Sequence, residues 1–489
     1  MKYGWLVIAI FAARFFSTAM AYPSGDGDLA WQRWLGATIV RAHAIPRALG
    51  NETFTAAGAP WVPQEWLFGL WADAGRSGVG WEVFSGAVAF AAVLALALAG
   101  LHAQARGASP RALVVCITFA GLAFFESFGV RAQVLVWPLV AAFVWLIDLD
   151  SPWAFAALAV AAVWSNLHAS AMLAPALAGI YAAGSWLDER GVGPRTRRLA
   201  LIAVGSLGAI CCNPLGWDLP AYAVGLFNNP IKSYISEWKV TDIDDTSFAL
   251  GALPLLVIGM LFSARGDGRR WRDAVLLAAL TVLVLSAARN VAVFAIVALP
   301  IVAPALSRGI PVFAFSPEER PSPLDRLMRV ALPSGAFGLA AIVAVLLVRD
   351  APPETGLADK PLAALVAMPG PHRLYCADFA WCSLVLGSPN VRIFLDGRAD
   401  PFPRDVWEDS VSIVRVDDRW TATLDRRRVD AIVVTKDTSL DQALAVAAGW
   451  RVAYEDKTYR LWLRGRRLSF DPFRSPVRAP RPRPGRASG

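Results

Sequence analysis

Apolar residues come in long runs along this chain, each closed by a short polar stretch. Runs at Trp5–Ala21, Val83–Leu101, Leu113–Phe125, Val134–Ile147, Trp153–Trp164, Met172–Leu187, Leu199–Cys212, Phe248–Phe262, Ala274–Ala288, Val291–Leu306 and Val330–Val348 predict α-helical spans. Several fall short of the ~20 residues that cross a bilayer, which fits local thinning or a bordering cavity. After Val348 the pattern changes. Val391–Leu395 and Asp430–Thr435 predict buried strands, Asp378–Leu386 and Leu440–Ala448 predict helices, and Arg451–Tyr454 with Tyr459–Arg464 predict a hairpin about Asp456-Lys457. From Phe473 onward Pro and Arg dominate, and no core is expected there. The expected fold class is an α-helical polytopic membrane protein of about 11 transmembrane helices with a C-terminal extracytoplasmic α/β domain. Its expected divisions are 1–348, with a long first outer loop over 23–81, then 349–470, then a Pro/Arg-rich tail over 471–489.

Composition agrees. The 489 residues are 56% hydrophobic with a mean hydropathy of +0.45, against roughly 45–50% for soluble domains. A net charge of +8 would suggest nucleic acid, but the placement of the charge says otherwise. With a cytoplasmic N-terminus, the inward loops carry Arg106 and Arg111, then Arg190, Arg195, Arg197 and Arg198, then Arg265, Arg269, Arg270 and Arg272, then Arg308, Arg320, Arg326 and Arg329. The outward connections hold Arg131, Lys232, Lys239 and Arg289. This asymmetry orients a membrane protein, so no nucleic-acid partner is expected and an odd number of spans leaves the C-terminal domain outside. The expected location is a bacterial inner (plasma) membrane. Trp5 to Tyr22 lacks a small-x-small cleavage site and reads as a retained first helix. Five cysteines show no zinc spacing; Cys376 and Cys382 are open to pairing if their domain is extracytoplasmic.

Unusual residues gather in the outward loops. Asp26 and Asp28 follow directly on the first span. Two acids so close to lipid suit a divalent cation (Mg or Mn) or a general base acting on a lipid-borne substrate, or else they cap a short interfacial helix. Glu65 precedes an amphipathic stretch, Trp66, Leu67, Leu70 and Trp71, suited to a helix on the membrane surface. It is either a second carboxylate for the acceptor or metal, or part of that helix's polar face. Arg289, at the mouth of a span beside Asn290, suits bidentate contact with phosphate, or snorkels to anchor the span. Arg131 and Lys232 are further phosphate candidates. His168 is a packing residue or a catalyst, and Glu237 with Trp238 either meets a sugar or anchors a loop.

In order along the chain stand Asp28 with Trp31 and Trp34-Leu35-Gly36, Ala44-Ile45-Pro46, Pro60-Trp61, Glu65-Trp66-Leu67, and Asn166-Leu167-His168-Ala169. Asn213-Pro214-Leu215-Gly216, Glu237-Trp238, Ala288-Arg289-Asn290 and Phe394-Leu395-Asp396-Gly397-Arg398 follow. Together, over residues 1 to about 465, these resemble the GT-C superfamily of integral membrane glycosyltransferases, in particular a poorly characterised bacterial group. Gln64, Gln32-Arg33 and Ala169 stand where that group often has His, Trp-His and Gly. Tyr375, Asp378, Phe379 and Trp381 loosely resemble the Trp-Trp-Asp-Tyr-Gly neighbourhood of oligosaccharyltransferase catalytic subunits. The resemblance implies a polyprenyl-phosphate-linked sugar donor and a glycan, lipid or protein acceptor. It also implies an acid in the first extracytoplasmic loop, matched first by Asp28 and second by Asp26. A flippase of lipid-linked saccharides is the rival reading; it calls for internal repeats and mid-span charges that the sequence does not display. A non-catalytic membrane scaffold is a third.

Overall fold

A computed structural model describes residues 2–22, 26–76, 79–227, 229, 234–262, 270–314 and 358–465. The first ten expected spans each coincide with a helix. Helix α1 is Lys2–Ala21; α2 (Gly27–Ala42) and α3 (Trp66–Ala74) lie in the first long loop. There follow α4 (Val79–Ala105), α5 (Pro110–Ala123), α6 (Ala132–Asp148), α7 (Ala157–Leu167), α8 (Leu173–Glu189) and α9 (Pro194–Ala209). Then come α10 (Asp218–Phe227), α11 (Leu253–Phe262), α12 (Trp271–Ser286) and α13 (Val291–Gly309). The eleventh expected span, Val330–Val348, and the tail lie outside the described residues. Among the described residues, four helical stretches, Tyr3–Ala21, Val79–Ala105, Ala169–Glu189 and Ala288–Gly309, are long and apolar enough to cross a membrane. Helix α13, buried almost throughout, runs through the bundle's centre against α4, α5, α6 and α11.

Local chemistry sets the helix ends. Ser109 caps α5, its hydroxyl accepting from Ala112 N–H, with Pro110 pre-set for the first turn. Asp26 caps α2: its Oδ1 accepts from the backbone N–H of Asp28 at 3.1 Å and Leu29 at 3.2 Å. The stretch opening at Trp66 is helical, but Phe68, Gly69 and Ala72 form its buried face, against α2 and the bundle, while Leu67, Leu70 and Trp71 stay half-buried. The expected surface helix is thus rotated, because Phe68 inserts against Phe84 of α4.

The C-terminal unit is a five-stranded mixed sheet in the order β2-β1-β3-β5-β4, from β1 (His372–Cys376), β2 (Val391–Ile393), β3 (Ala431–Thr435), β4 (Trp450–Glu455) and β5 (Tyr459–Arg464). β1 runs parallel to β2 and β3, and β4–β5 is the antiparallel hairpin read from the sequence. A disulfide joins Cys376 to Cys382.

This unit is welded to the first long loop. One apolar cluster contains Trp31, Leu35 and Trp61 from the loop together with Tyr375, Phe394 and Trp407 from the sheet unit. Ile393 N–H donates to Glu52 O (2.8 Å) and Phe54 N–H donates to Ile393 O (3.2 Å), so the loop adds itself to the β2 edge. The Asp396-Arg398 pair is structural. The Arg398 guanidinium, with its side chain wholly buried, donates to both Asp396 carboxylate oxygens and to Glu52 Oε1 (2.8 Å), and lies over the rings of Trp34 and Trp61. Removing one partner of such a buried pair typically costs about 3–5 kcal/mol. Arg398→Ala is therefore expected to lower the thermal unfolding midpoint sharply and to free the sheet unit for proteolysis; an unchanged midpoint would refute the weld.

Candidate active site

Asp28 lies in the first turn of α2, beneath the sheet unit. Two close approaches fix it there. A Cβ on Gly27 would meet Ala380 O at 2.3 Å, and one on Gly397 would meet Asp28 Oδ1 at 2.9 Å. Only glycine admits this contact, so the Asp396-Gly397-Arg398 turn roofs the Asp28 carboxylate. That carboxylate keeps 36% of its side-chain surface accessible while being ringed by protein. Burial pushes its pKa up to about 6; Arg131 pulls it down, and the neighbouring carboxylates of Asp26, Glu237 and Asp378 push it up again.

Arg131 caps the N-terminal end of α6 with one nitrogen 3.6 Å from Asp28 Oδ2 and another paired with Glu237. It also hydrogen-bonds Tyr22. With two carboxylates and a phenol already around it, Arg131 serves as the counter-charge of Asp28 more than as a hand held out to phosphate.

Glu65, 8% exposed, sits one layer deeper. Its carboxylate accepts from Gln32 Nε2 and from Gln64 Nε2 (3.0 Å), and His168 Nε2 stands 3.5 Å away. His168 Nδ1 accepts from Ser170 N–H at 3.0 Å, so the ring's proton is on Nε2, facing Glu65. The two glutamines that depart from the family pattern are thus the donors that cage this acid. Burial pushes Glu65 up to about 7, against the Gln32 hydrogen bond.

Arg289 makes no ion pair among the described residues. Its guanidinium stacks over Trp238 at 4.3 Å and reaches Gln133 Oε1 at 3.4 Å. It is close enough to Glu65 and His168 to act on both electrostatically. A half-buried arginine held by a ring face and one amide keeps its fork available to an anion. Glu237 thus pairs with Arg131, and Trp238 lies under Arg289. Lys232 lies outside the described residues.

Two residues not singled out in the sequence complete the recess. Tyr222 of α10 hydrogen-bonds Asp400, whose pKa burial pushes up to about 8, with the Glu65 charge adding to the shift. Asp400 stands two residues past Arg398; Tyr222 is masked in the sequence by its apolar neighbours.

The donor set does not suit a dedicated cation. Asp26 spends Oδ1 on the α2 cap, Arg131 already stands beside Asp28, and no group of three His, Cys, Asp or Glu among the described residues is arranged for a metal.

No protein-family model matches the sequence. No curated protein matches it either. Solved structures do. The Archaeoglobus fulgidus oligosaccharyltransferase tethered with an acceptor peptide containing the NVT sequon is similar at 11% identity, over 89% of this chain and 69% of that one, with a TM-score of 0.55. AglB from the same organism, in complex with an inhibitory peptide and a dolichol-phosphate, is similar at 13% identity over the same shares, with a TM-score of 0.54. ArnT from Cupriavidus metallidurans bound to undecaprenyl phosphate is 16% identical over 94% of this chain and 97% of that one, at a TM-score of 0.47. The fold is the one that the archaeal oligosaccharyltransferase has. On that plan the described residues combine helices long and apolar enough to cross a membrane with a C-terminal five-stranded sheet unit.

Proposed function

We propose that the chain is a glycosyltransferase that moves a sugar from a polyprenyl-phosphate-linked donor to an acceptor on the extracytoplasmic face of a bacterial inner membrane. The observation that carries this reading is an accessible, partly desolvated carboxylate, Asp28, and an arginine, Arg289, without an ion pair among the described residues, both within electrostatic reach of the same buried Glu65. Transfer from a phosphate leaving group needs those two things: a base for the incoming hydroxyl and a positive charge for the departing oxygens. Dolichol-phosphate in the AglB structure supports a lipid-phosphate donor here. The arginine-rich loops and the Cys376–Cys382 disulfide support the extracytoplasmic side.

The step is a single displacement. The acceptor hydroxyl oxygen attacks the anomeric carbon as Asp28 takes its proton. The bond from that carbon to the phosphate oxygen breaks on the opposite face, so configuration inverts and polyprenyl phosphate leaves against Arg289. Arg131 keeps Asp28 ionised. Glu65 and His168 hold the deeper wall, and the sheet unit covers the site, where a glycan, lipid or protein acceptor would enter.

The pKa of Asp28 gives this reading a pH signature. A base must be ionised, so kcat/KM is expected to rise with pH through about 6 and level off above it. Arg131 lowers that pKa; Arg131→Gln is therefore expected to move the acid limb to higher pH. Glu237 raises it, so Glu237→Gln is expected to move the limb to lower pH. Limbs that stay in place in both variants would remove Asp28 from the role of base.

A further inference from the structure

At the opposite end of the bundle, about 25 Å away along the 17-residue α6, lies a cavity of about 350 Å³ between α8, α9 and α12. Ser185, Asp188, Glu189, Arg195, Arg270 and Arg272 line it. Its two acids are already engaged. Asp188 accepts from the backbone N–H of Trp271 (2.6 Å) and Arg272 (3.3 Å) at the start of α12, and Glu189 accepts from the N–H of Arg195 (3.2 Å) and Thr196 (3.0 Å) at the start of α9.

The arginines are engaged only in part: Arg195 donates to Asp148 and Asp150 at 2.8 Å through its two terminal nitrogens. Arg272 is 2% exposed and pairs with Asp148 through Nη1 at 3.1 Å and with Asp273 through Nε at 3.6 Å, yet its Nη2 has no hydrogen-bond partner among the described residues and its Nε none at hydrogen-bond distance. The same holds for Ser185 Oγ, in a residue 1% exposed, and for Arg195 Nε. A buried donor left unmet costs about 1–3 kcal/mol, and three of the cavity's side chains carry one. Arg270, on the surface beside them, forms no ion pair among the described residues. The set calls for an acceptor-rich anion. The cavity's margin names the source: Trp186, Leu187 and Trp271 are large apolar residues left 50%, 39% and 50% exposed beside it, as at the interfacial belt of a membrane protein. Basic pockets between spans at that level take lipid head groups.

We propose that this cavity holds the phosphate of a membrane-lipid head group, met by Arg272, Ser185 and Arg195 with Arg270 at its rim. It is a second phosphate site, separate from the recess around Asp28.

Thermal unfolding of the full chain in detergent tests this. Phosphatidylglycerol is titrated in, with diacylglycerol as the control lacking phosphate, and inorganic phosphate at ionic strength matched with chloride. The midpoint is expected to rise with phosphatidylglycerol and not with diacylglycerol. Loss of a charge-assisted contact in Arg272→Gln is expected to weaken the half-saturating concentration about 10- to 100-fold. Ser185→Ala and Arg195→Gln, which leave the buried Arg272 in place, should each weaken it less, while Arg289→Ala at the other end should leave it unchanged. A matching response to inorganic phosphate would assign the site to phosphate itself and overturn the lipid source. A response absent from the wild type, unchanged in the Ser185, Arg195 and Arg272 variants, or lost in Arg289→Ala would overturn the site. None of these outcomes depends on the chain being a transferase.

Discussion

Asp28→Asn is expected to lower turnover about 10²–10⁴-fold, the usual cost of removing a general base, while binding of the lipid donor stays near normal. The amide fills the same space under Gly397 and keeps an oxygen facing Arg131, so the recess keeps its shape. What it loses is the ability to take a proton. Asp26→Asn is expected to cost far less, because an asparagine caps a helix nearly as well as an aspartate and Asp26 acts at the α2 terminus. A donor-binding assay beside a transfer assay separates the two effects. Full transfer by Asp28→Asn would remove the proposed base. Equal losses in both variants would point instead to a shared role for the two acids, such as holding an ion, and a chelator would then mimic either change.

Loss of Arg289 is expected to depress turnover and donor affinity together. A guanidinium facing the leaving phosphate interacts more strongly as that oxygen gains charge, so its removal weakens the transition state more than the ground state. Removing one donor aimed at developing charge typically costs about 10²–10³-fold in rate. Arg289→Lys keeps the charge without the planar fork and without the stacked fit over Trp238. It should fall between the wild type and Arg289→Ala. Trp238→Ala should reproduce part of the loss by letting the guanidinium wander, with the larger effect on kcat. A lysine variant as impaired as the alanine one would assign Arg289 to holding the loop rather than the phosphate.

Period and charge placement made the helical framework legible. Ten apolar runs matched helices because each is closed by a turn or a cap, such as Ser109-Pro110 before α5. The sheet unit was read in part. β1, between β2 and β3, escaped because it opens on His372-Arg373 and only Leu374, Tyr375 and Cys376 are buried. Helix α10 escaped among Pro214, Gly216 and Pro220, and Tyr222 with it. At the site, sidedness alone gathered Asp28, Arg131, Glu237 and Arg289 onto one face. Which arginine pairs with which acid is a tertiary fact. Arg131 and Asp28 stand on separate elements, α2 being held against α3 and the segment after β1, and nothing local to either residue specifies their meeting. The Gln32 and Gln64 substitutions looked like losses in the sequence. In the fold they are amide donors to one buried carboxylate, a role that requires knowing that Glu65 lies between them.

The most direct test of the account is release of free polyprenyl phosphate from a lipid-linked sugar in vesicles reconstituted with the full chain. Transfer by a single displacement breaks the bond between sugar and phosphate, so the wild-type protein is expected to release polyprenyl phosphate and form product of inverted configuration. Asp28→Asn vesicles are expected to bind the same lipid and release almost none. A flippase would carry the lipid-linked sugar across the bilayer intact. Movement without cleavage in wild-type vesicles, unaffected by Asp28→Asn, would contradict the assignment of this recess as a transferase active site.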